Sequence, residues 1–172
     1  MTHRDAPAAH VRMIVSGGQS GVDRAAIDVA IAHGVAYSGW VPRGGWAEDH
    51  PAPPGVLTRY PALRATDEAD TAVRTERNVD DADALLVVRS RAVRSAGTDL
   101  ACSRAEARGM PCLVIDPHDE RAHAALSAFL ASLPSGSTLC VAGPREREQP
   151  GAYAATRALL EAHAAELFRA EL

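Results

Sequence analysis

The residues best placed to do chemistry stand in the run Ser16-Gly17-Gly18-Gln19-Ser20-Gly21-Val22-Asp23-Arg24. An apolar stretch precedes this run and an amphipathic one follows it, so its glycines fall where a strand turns into a helix. Glycine lets a backbone approach a phosphate closely, and the free N–H groups of a helix start favour an anion by roughly 0.3–1 kcal/mol when exposed. The spacing is neither a Walker loop nor the dinucleotide fingerprint. Gly17, Gly18, Gln19, Ser20, Gly21 and Arg24 are therefore candidate ligand contacts, although a tight turn would need the same glycines for its geometry alone. A second turn of this kind, Ser95-Ala96-Gly97-Thr98-Asp99, adds Gly97 and Thr98. Two helix N-termini facing one crevice would hold two ends of one ligand, and a purely structural turn is the equal alternative.

Arginines on loops at strand ends suit the two-pronged recognition of phosphate or carboxylate. Arg43, in Trp40-Val41-Pro42-Arg43-Gly44, and Arg145, in Gly143-Pro144-Arg145-Glu146, occupy such places, and Arg74 and Asn78 are spaced i,i+4 to point at one ligand. Glu48 and Asp49, beside His50, are the candidate acid–base or metal-ligating groups, with a solvated acidic loop as the plainer reading. Asp83 and Asp116 flank apolar strands as positioned polar groups. Cys102, Cys112 and Cys140 have neither a zinc-type spacing nor an evident histidine partner, so no metal held by protein ligands is expected.

The elements that must carry these residues alternate in type. Strands are expected at Val11–Ser16, Tyr37–Trp40, near Leu63, at Ala84–Val88, Cys112–Ile115 and Thr138–Ala142. Helices are expected at about Gln19–His33, Asp67–Asp81 with Thr66 as N-cap, from the second turn to Arg108, at Asp119–Ser132 and at Tyr153–Phe168. The continuous apolar runs ALLVV and CLVI read as parallel strands buried on both faces. Between Val41 and Tyr60 lies a long surface loop rich in proline and glycine, of a length often given to binding. The pattern predicts an α/β, three-layer Rossmann-like fold, its mainly parallel sheet flanked by helices and its ligand at the carboxyl ends of the strands. One ligand-binding domain over residues 11–172 is expected, after a flexible tail over residues 1–10.

Composition narrows the function. The 172 residues carry a formal charge of −4 and only 4% aromatics, which leaves neither a basic track nor stacking platforms for nucleic acid. No signal or membrane-spanning run is evident, and three cysteines fit a reducing compartment, so a cytoplasmic protein is expected.

Taken in order, SGGQSGVDRAAID (16–28), SGWVPRG (38–44), AED (47–49), RYPAL (59–63), RTERNV (74–79), DADALLVV (81–88), AGTDLA (96–101) and VAGPRE (141–146) resemble the putative molybdenum carrier proteins. These stand in the wider SLOG, or lysine decarboxylase-like, nucleotide-binding superfamily. The resemblance runs from Ile14 to about Tyr153. It implies a Rossmann-like fold, a ligand held by the two glycine turns, and a homo-oligomer, dimer or tetramer. Ser20 stands where threonine is expected, Ala96 where glycine is, and Cys140 where asparagine is. The Pro-Gly-Gly-x-Gly-Thr segment and following catalytic glutamate of the nucleotide-hydrolysing relatives are reduced here to Ala96-Gly97-Thr98-Asp99.

The leading expectation is a binding protein for a small phosphorylated ligand, the molybdenum cofactor or a related pterin or nucleotide, with Arg43, Arg74 and Arg145 offsetting its charge. The alternatives are an enzyme cleaving the N-glycosidic bond of a nucleoside monophosphate through Glu48 or Asp49, and a sensor of a nucleotide-derived signal. No membrane or nucleic-acid partner is expected.

Overall fold

The structure is a computed structural model that describes residues 10–168, so the tail expected over residues 1–10 lies outside the described residues except for His10. Six strands, Val11–Val15 (β1), Ala36–Val41 (β2), Leu63–Ala65 (β3), Ala84–Val88 (β4), Cys112–Ile115 (β5) and Ser137–Ala142 (β6), form one sheet. Its order is β3-β2-β1-β6-β4-β5 and every neighbouring pair is parallel. The helices are Val22–Ala32 (α1), Thr71–Asp80 (α2), Ala96–Ala107 (α3), Ala122–Ser132 (α4), Ala152–Ala162 (α5) and Ala164–Leu167 (α6). The result is the three-layer Rossmann-like α/β fold that the alternation calls for.

Both faces of the sheet are covered, which explains why the central strands read as unbroken apolar runs. Leu86 and Val88 of β4 face α1, α4 and α5, where Val22, Ala26, Val29, Leu126, Leu130, Leu159 and Leu160 pack on them. Leu85 and Val87, one residue out of phase, face Val79 of α2 and Ala101 and Ala105 of α3. β5 departs from the expectation. It is the edge strand, with Ile115 buried but Val114 47% exposed. An apolar run does not distinguish a central strand from an edge strand, because the second neighbour comes from elsewhere in the chain.

Two helix boundaries also move. Thr66 is not an N-cap; its N–H continues the β2–β3 ladder onto the Val41 carbonyl at 2.8 Å, and Asp70 caps α2 by accepting from the Ala72 N–H at 2.9 Å. The last helical stretch is broken at His163, which separates α5 from α6. The segment from Val41 to Tyr60 is an organised unit. It holds two 3-10 turns, Arg43–Gly45 and Gly55–Thr58, and packs Val41, Ala47, Val56 and Tyr60 against Ile27 and Leu63 in a satellite core.

The position of β6 governs the site. The chain builds β1, β2 and β3 outward in one direction, crosses over to build β4 and β5 in the other, and returns to insert β6 between β1 and β4. β1 continues into α1 on one face of the sheet and β4 into α3 on the other, and the crevice lies at the strand ends between them. β2 fits closely beside the end of β1: the Ser16 N–H donates to the Ser38 carbonyl at 3.1 Å, and a Cβ on Gly39 would run into the Ser16 carbonyl. Gly39→Ala should therefore cost about 3 kcal/mol in urea unfolding. Gly34→Ala, where φ is +66° but a Cβ would meet nothing, should cost about 1 kcal/mol.

Candidate functional site

The first glycine turn leaves β1 and enters α1 under tight restraint. Gly21, at φ +83°, packs on the backbone of residues 144–146, and the Val22 N–H donates to the Pro144 carbonyl at 3.3 Å. Asp23, in the first turn of α1, is 4% exposed. Burial pushes its carboxyl above the ordinary value, an effect opposed by Arg74, whose Nη1 lies 3.5 Å away. The N-terminus of α1 thus already meets a carbonyl and a carboxyl group of the chain itself.

Arg24 is engaged within the chain. Its guanidinium, with the side chain 7% exposed, donates to the Gly18 carbonyl at 3.0 and 3.3 Å and to both oxygens of Asp49 at 2.8 and 3.0 Å. Arg24 therefore ties the glycine turn to the 41–60 segment. Ser20 is likewise engaged: its hydroxyl donates to Glu48 and accepts from the Glu146 N–H at 3.2 Å.

The second turn is open. Ser95, Ala96, Gly97 and Thr98 begin α3, and the Ser95 side chain makes no capping bond to the helix; instead the Thr98 hydroxyl donates to Ser95 Oγ at 2.9 Å. The first N–H groups of an α-helix have no intrahelical acceptor. Gly97 and the Ala96 side of this turn are exposed, and a Cβ on Gly97 would meet nothing, so the position leaves room for a ligand.

These parts enclose one crevice of about 220 Å³. Gly17, Gln19 and Asp23 form one side, Arg74, Thr75 and Asn78 of α2 a second, Ser95–Thr98 a third, and Arg145 and Glu148 the rim. Arg74 lies over Gly17, where any Cβ would collide with it, and its buried Nε has no partner among the described residues. The residues brought together from the sequence-based candidates are thus Gly17, Gln19, Arg74, Gly97, Thr98 and Arg145. Asn78 also lines the crevice, but its amide is committed. It exchanges hydrogen bonds of 2.7 and 3.0 Å with the Trp40 backbone, filling the β2 edge beyond the end of β1.

Gly18, Ser20, Gly21, Arg24, Arg43, Glu48 and Asp49 do not line it. Arg43 is exposed on a 3-10 turn, its N–H held by the Glu68 carbonyl at 3.0 Å. Ser20, Gly21, Arg24, Glu48 and Asp49 come together instead at a separate hollow of about 320 Å³, with Asp28, Arg59 and Tyr153. The hydrogen bonds from Arg24 hold the Asp49 carboxyl far below the usual range, so it stays ionised and is unsuited to deliver a proton. A third and larger hollow, about 750 Å³, lies beside β5, where Arg91 and Arg121 both pair with Asp119 at 2.7 and 3.0 Å.

Sequence reasoning passed over Asp23, Trp46, Ser95 and Glu148 as crevice residues. An acidic side chain in a first helical turn was the available signal for Asp23. Trp46 and Glu148 arrive from segments far apart in the chain, and no local pattern marks them.

Residues 14–164 match the model of the circularly permutated YpsA SLOG family. The chain belongs to this family. Among solved structures, a putative molybdenum carrier protein from Syntrophus aciditrophicus is 36% identical and superposes with a TM-score of 0.78, over 95% of this chain and 98% of that one. No curated protein matches the chain. In this member of the SLOG family, no helix among the described residues is long and apolar enough to cross a membrane.

Two measurements test the role given to Arg24. Because its partner depresses the folded-state pKa of Asp49, the stabilisation is present above the unfolded value near 4 and is lost as pH falls. Asp49→Asn should flatten the decline of the urea midpoint between about pH 5 and pH 2. Arg24→Met, which strands the Gly18 carbonyl and Asp49 together, should cost about 2–4 kcal/mol at neutral pH, below the full figure for a buried pair because Asp49 is 41% exposed.

Proposed function

We propose that this chain binds, without turning it over, a small ligand carrying a phosphate, of the class of the molybdenum cofactor or a related pterin or nucleotide. The observation that carries the reading is Arg74: a guanidinium 13% exposed, facing the crevice with one N–H unpartnered and held to Asp23 only by a 3.5 Å contact. A buried arginine left under-satisfied opposite a free helix N-terminus is a fitting seat for an oxyanion. The name of the structural relative supports a carried cargo of this kind.

In this reading the anion sits between Arg74 and the Gly97–Thr98 end of α3, with Arg145 at the rim. The glycines of the first turn serve a different purpose. Gly17 lets Arg74 lie across it, Gly18 fits against Leu63 and Val41, and Gly21 fits against the backbone of residues 144–146. A metal in the cargo would be brought in with the ligand, since the crevice offers Asp23, Glu148 and Cys140 as its donor types and the first two are paired with arginines. Burial pushes the Cys140 thiol up, which keeps it neutral and a poor ligand.

The N-glycosidase alternative would use a different hollow, where Glu48 and Asp49 stand with Ser20, Gly21 and Arg24 of the first turn, and the hydrogen bonds that keep Asp49 ionised disfavour it there as a proton donor.

Titration calorimetry with guanosine and adenosine monophosphates, a phosphorylated hydroxymethylpterin and inorganic phosphate tests the reading, alongside native mass spectrometry of the freshly purified protein. Saturable 1:1 binding with no product is expected. Absence of binding by every phosphate-bearing probe would overturn it. Asp23→Asn removes the charge competing for Arg74 and should tighten phosphate binding by about fivefold or more. Adding Arg74→Met in that background should weaken it about 10–100-fold. Using the double variant avoids stranding a buried carboxylate.

A further inference from the structure

Gln19 occupies the crevice wall but cannot serve the phosphate. It is 2% exposed, and its amide has a fixed orientation: Nε2 donates to the Trp46 carbonyl at 3.1 Å. Turning the amide over would set oxygen against oxygen. Its Oε1 is consequently directed away from that carbonyl, buried, and without a partner among the described residues. A buried acceptor left unpaired costs free energy that a correct ligand can recover. Ionised phosphate oxygens only accept hydrogen bonds, so phosphate does not meet this need.

The crevice therefore makes two opposite demands. Arg74 Nε and the α3 N-terminus are donors awaiting an anion, and Gln19 Oε1 is an acceptor awaiting a donor. Trp46, whose carbonyl orients Gln19, lines the same crevice and gives this end of it an aromatic residue.

We propose that Gln19 Oε1 accepts a hydrogen bond from an N–H or O–H of the bound ligand, so that the site selects phosphorylated compounds bearing that donor rather than phosphate alone. This rests on the reading that a phosphorylated ligand occupies the crevice. It changes the part played by Gln19 from anion contact to reader of the rest of the molecule. The donor has two possible sources in a nucleotide-like ligand, a ring N–H or a sugar hydroxyl, and the probes separate them.

The experiment compares inosine 5′-monophosphate with purine riboside 5′-monophosphate, which lacks the ring N–H, and with 2′,3′-dideoxyinosine 5′-monophosphate, which lacks the sugar hydroxyls. Inorganic phosphate serves as the reference, and the full chain is titrated throughout. At least a tenfold loss on removing one donor is expected, because a buried polar group tuned to a partner discriminates strongly against its absence. A loss with purine riboside assigns the ring, and a loss with the dideoxy compound assigns the sugar. Gln19→Met should erase that difference while leaving inorganic phosphate affinity within about twofold. If all three nucleotides bind the unaltered protein within about twofold of one another, the proposal falls while the phosphate reading stands. If neither they, the phosphorylated hydroxymethylpterin nor inorganic phosphate bind, both fall. The comparison on the unaltered protein decides the matter even if the Gln19 variant folds poorly.

Discussion

A guanidinium buried at the start of a helix must find acceptors, and in this chain the search of Arg24 for them organises the region around the site. It makes four hydrogen bonds, to the Gly18 carbonyl and to both oxygens of Asp49, and its central carbon lies 5.6 Å from the centre of the Tyr60 ring. Each contact draws a different segment to the end of β1. Gly18 fixes the glycine turn, Asp49 brings in the middle of the long segment, and Tyr60 anchors its end. Tyr60 in turn donates to Asp28 at 2.7 Å, and Asp28 accepts from Tyr153 of α5 at 2.6 Å. One buried cation thus links β1, the 41–60 segment and α5 in a network whose polar members are satisfied, which favours a single arrangement of the turn.

This network explains how an apparent ligand motif divides its labour. Within Ser16–Arg24, side chains at alternate levels face opposite directions. Gln19 and Asp23 look into the crevice with Gly17, while Ser20 and Arg24 look outward to Glu48 and Asp49. A run that reads as one phosphate loop is half a wall of the site and half a clamp holding that wall. Rigid support behind a binding wall reduces the ordering that a ligand must otherwise impose.

The fold was largely legible because its core obeys simple periodicities. ALLVV in β4, the Val22–Ala26–Val29 stripe of α1 and the glycine after α1 each have a local cause and are found as expected. The strand order was not legible, since the insertion of β6 between β1 and β4 depends on how non-neighbouring segments compete for a place in the sheet. That same competition left CLVI at the edge. For the site, the turns and Arg74 could be named from glycine spacing and helical phase. Which charges are already paired could not, because Asp49 lies twenty-five positions from Arg24 in sequence and Asp23 lies fifty-one from Arg74. Residue type reveals what a group can do, and only the fold reveals whether it is already doing something else.

That distinction underlies the place proposed for an anion. Both expected seats are helix N-termini with glycine nearby, and the sequence ranks the first above the second. The α1 end, however, has its Val22 N–H on the Pro144 carbonyl and the Asp23 carboxylate in its first turn. A second negative charge there would be repelled, whereas the α3 end has a side-chain cap turned inward on itself, an exposed glycine and an arginine across the gap. The favourable dipole term is similar at both ends, roughly 0.3–1 kcal/mol, and each first turn carries an aspartate; the difference is that Asp99 of α3 is exposed and paired with Arg89, whereas Asp23 of α1 is buried in the crevice wall. Asp23 also keeps Arg74 aimed across Gly17. An arriving anion would take over part of that partnership, and the 3.5 Å separation of the pair leaves little to break. In the reading proposed above, the chain's own Asp23 thus occupies the stronger-looking end and holds ready the arginine that would serve the weaker-looking one.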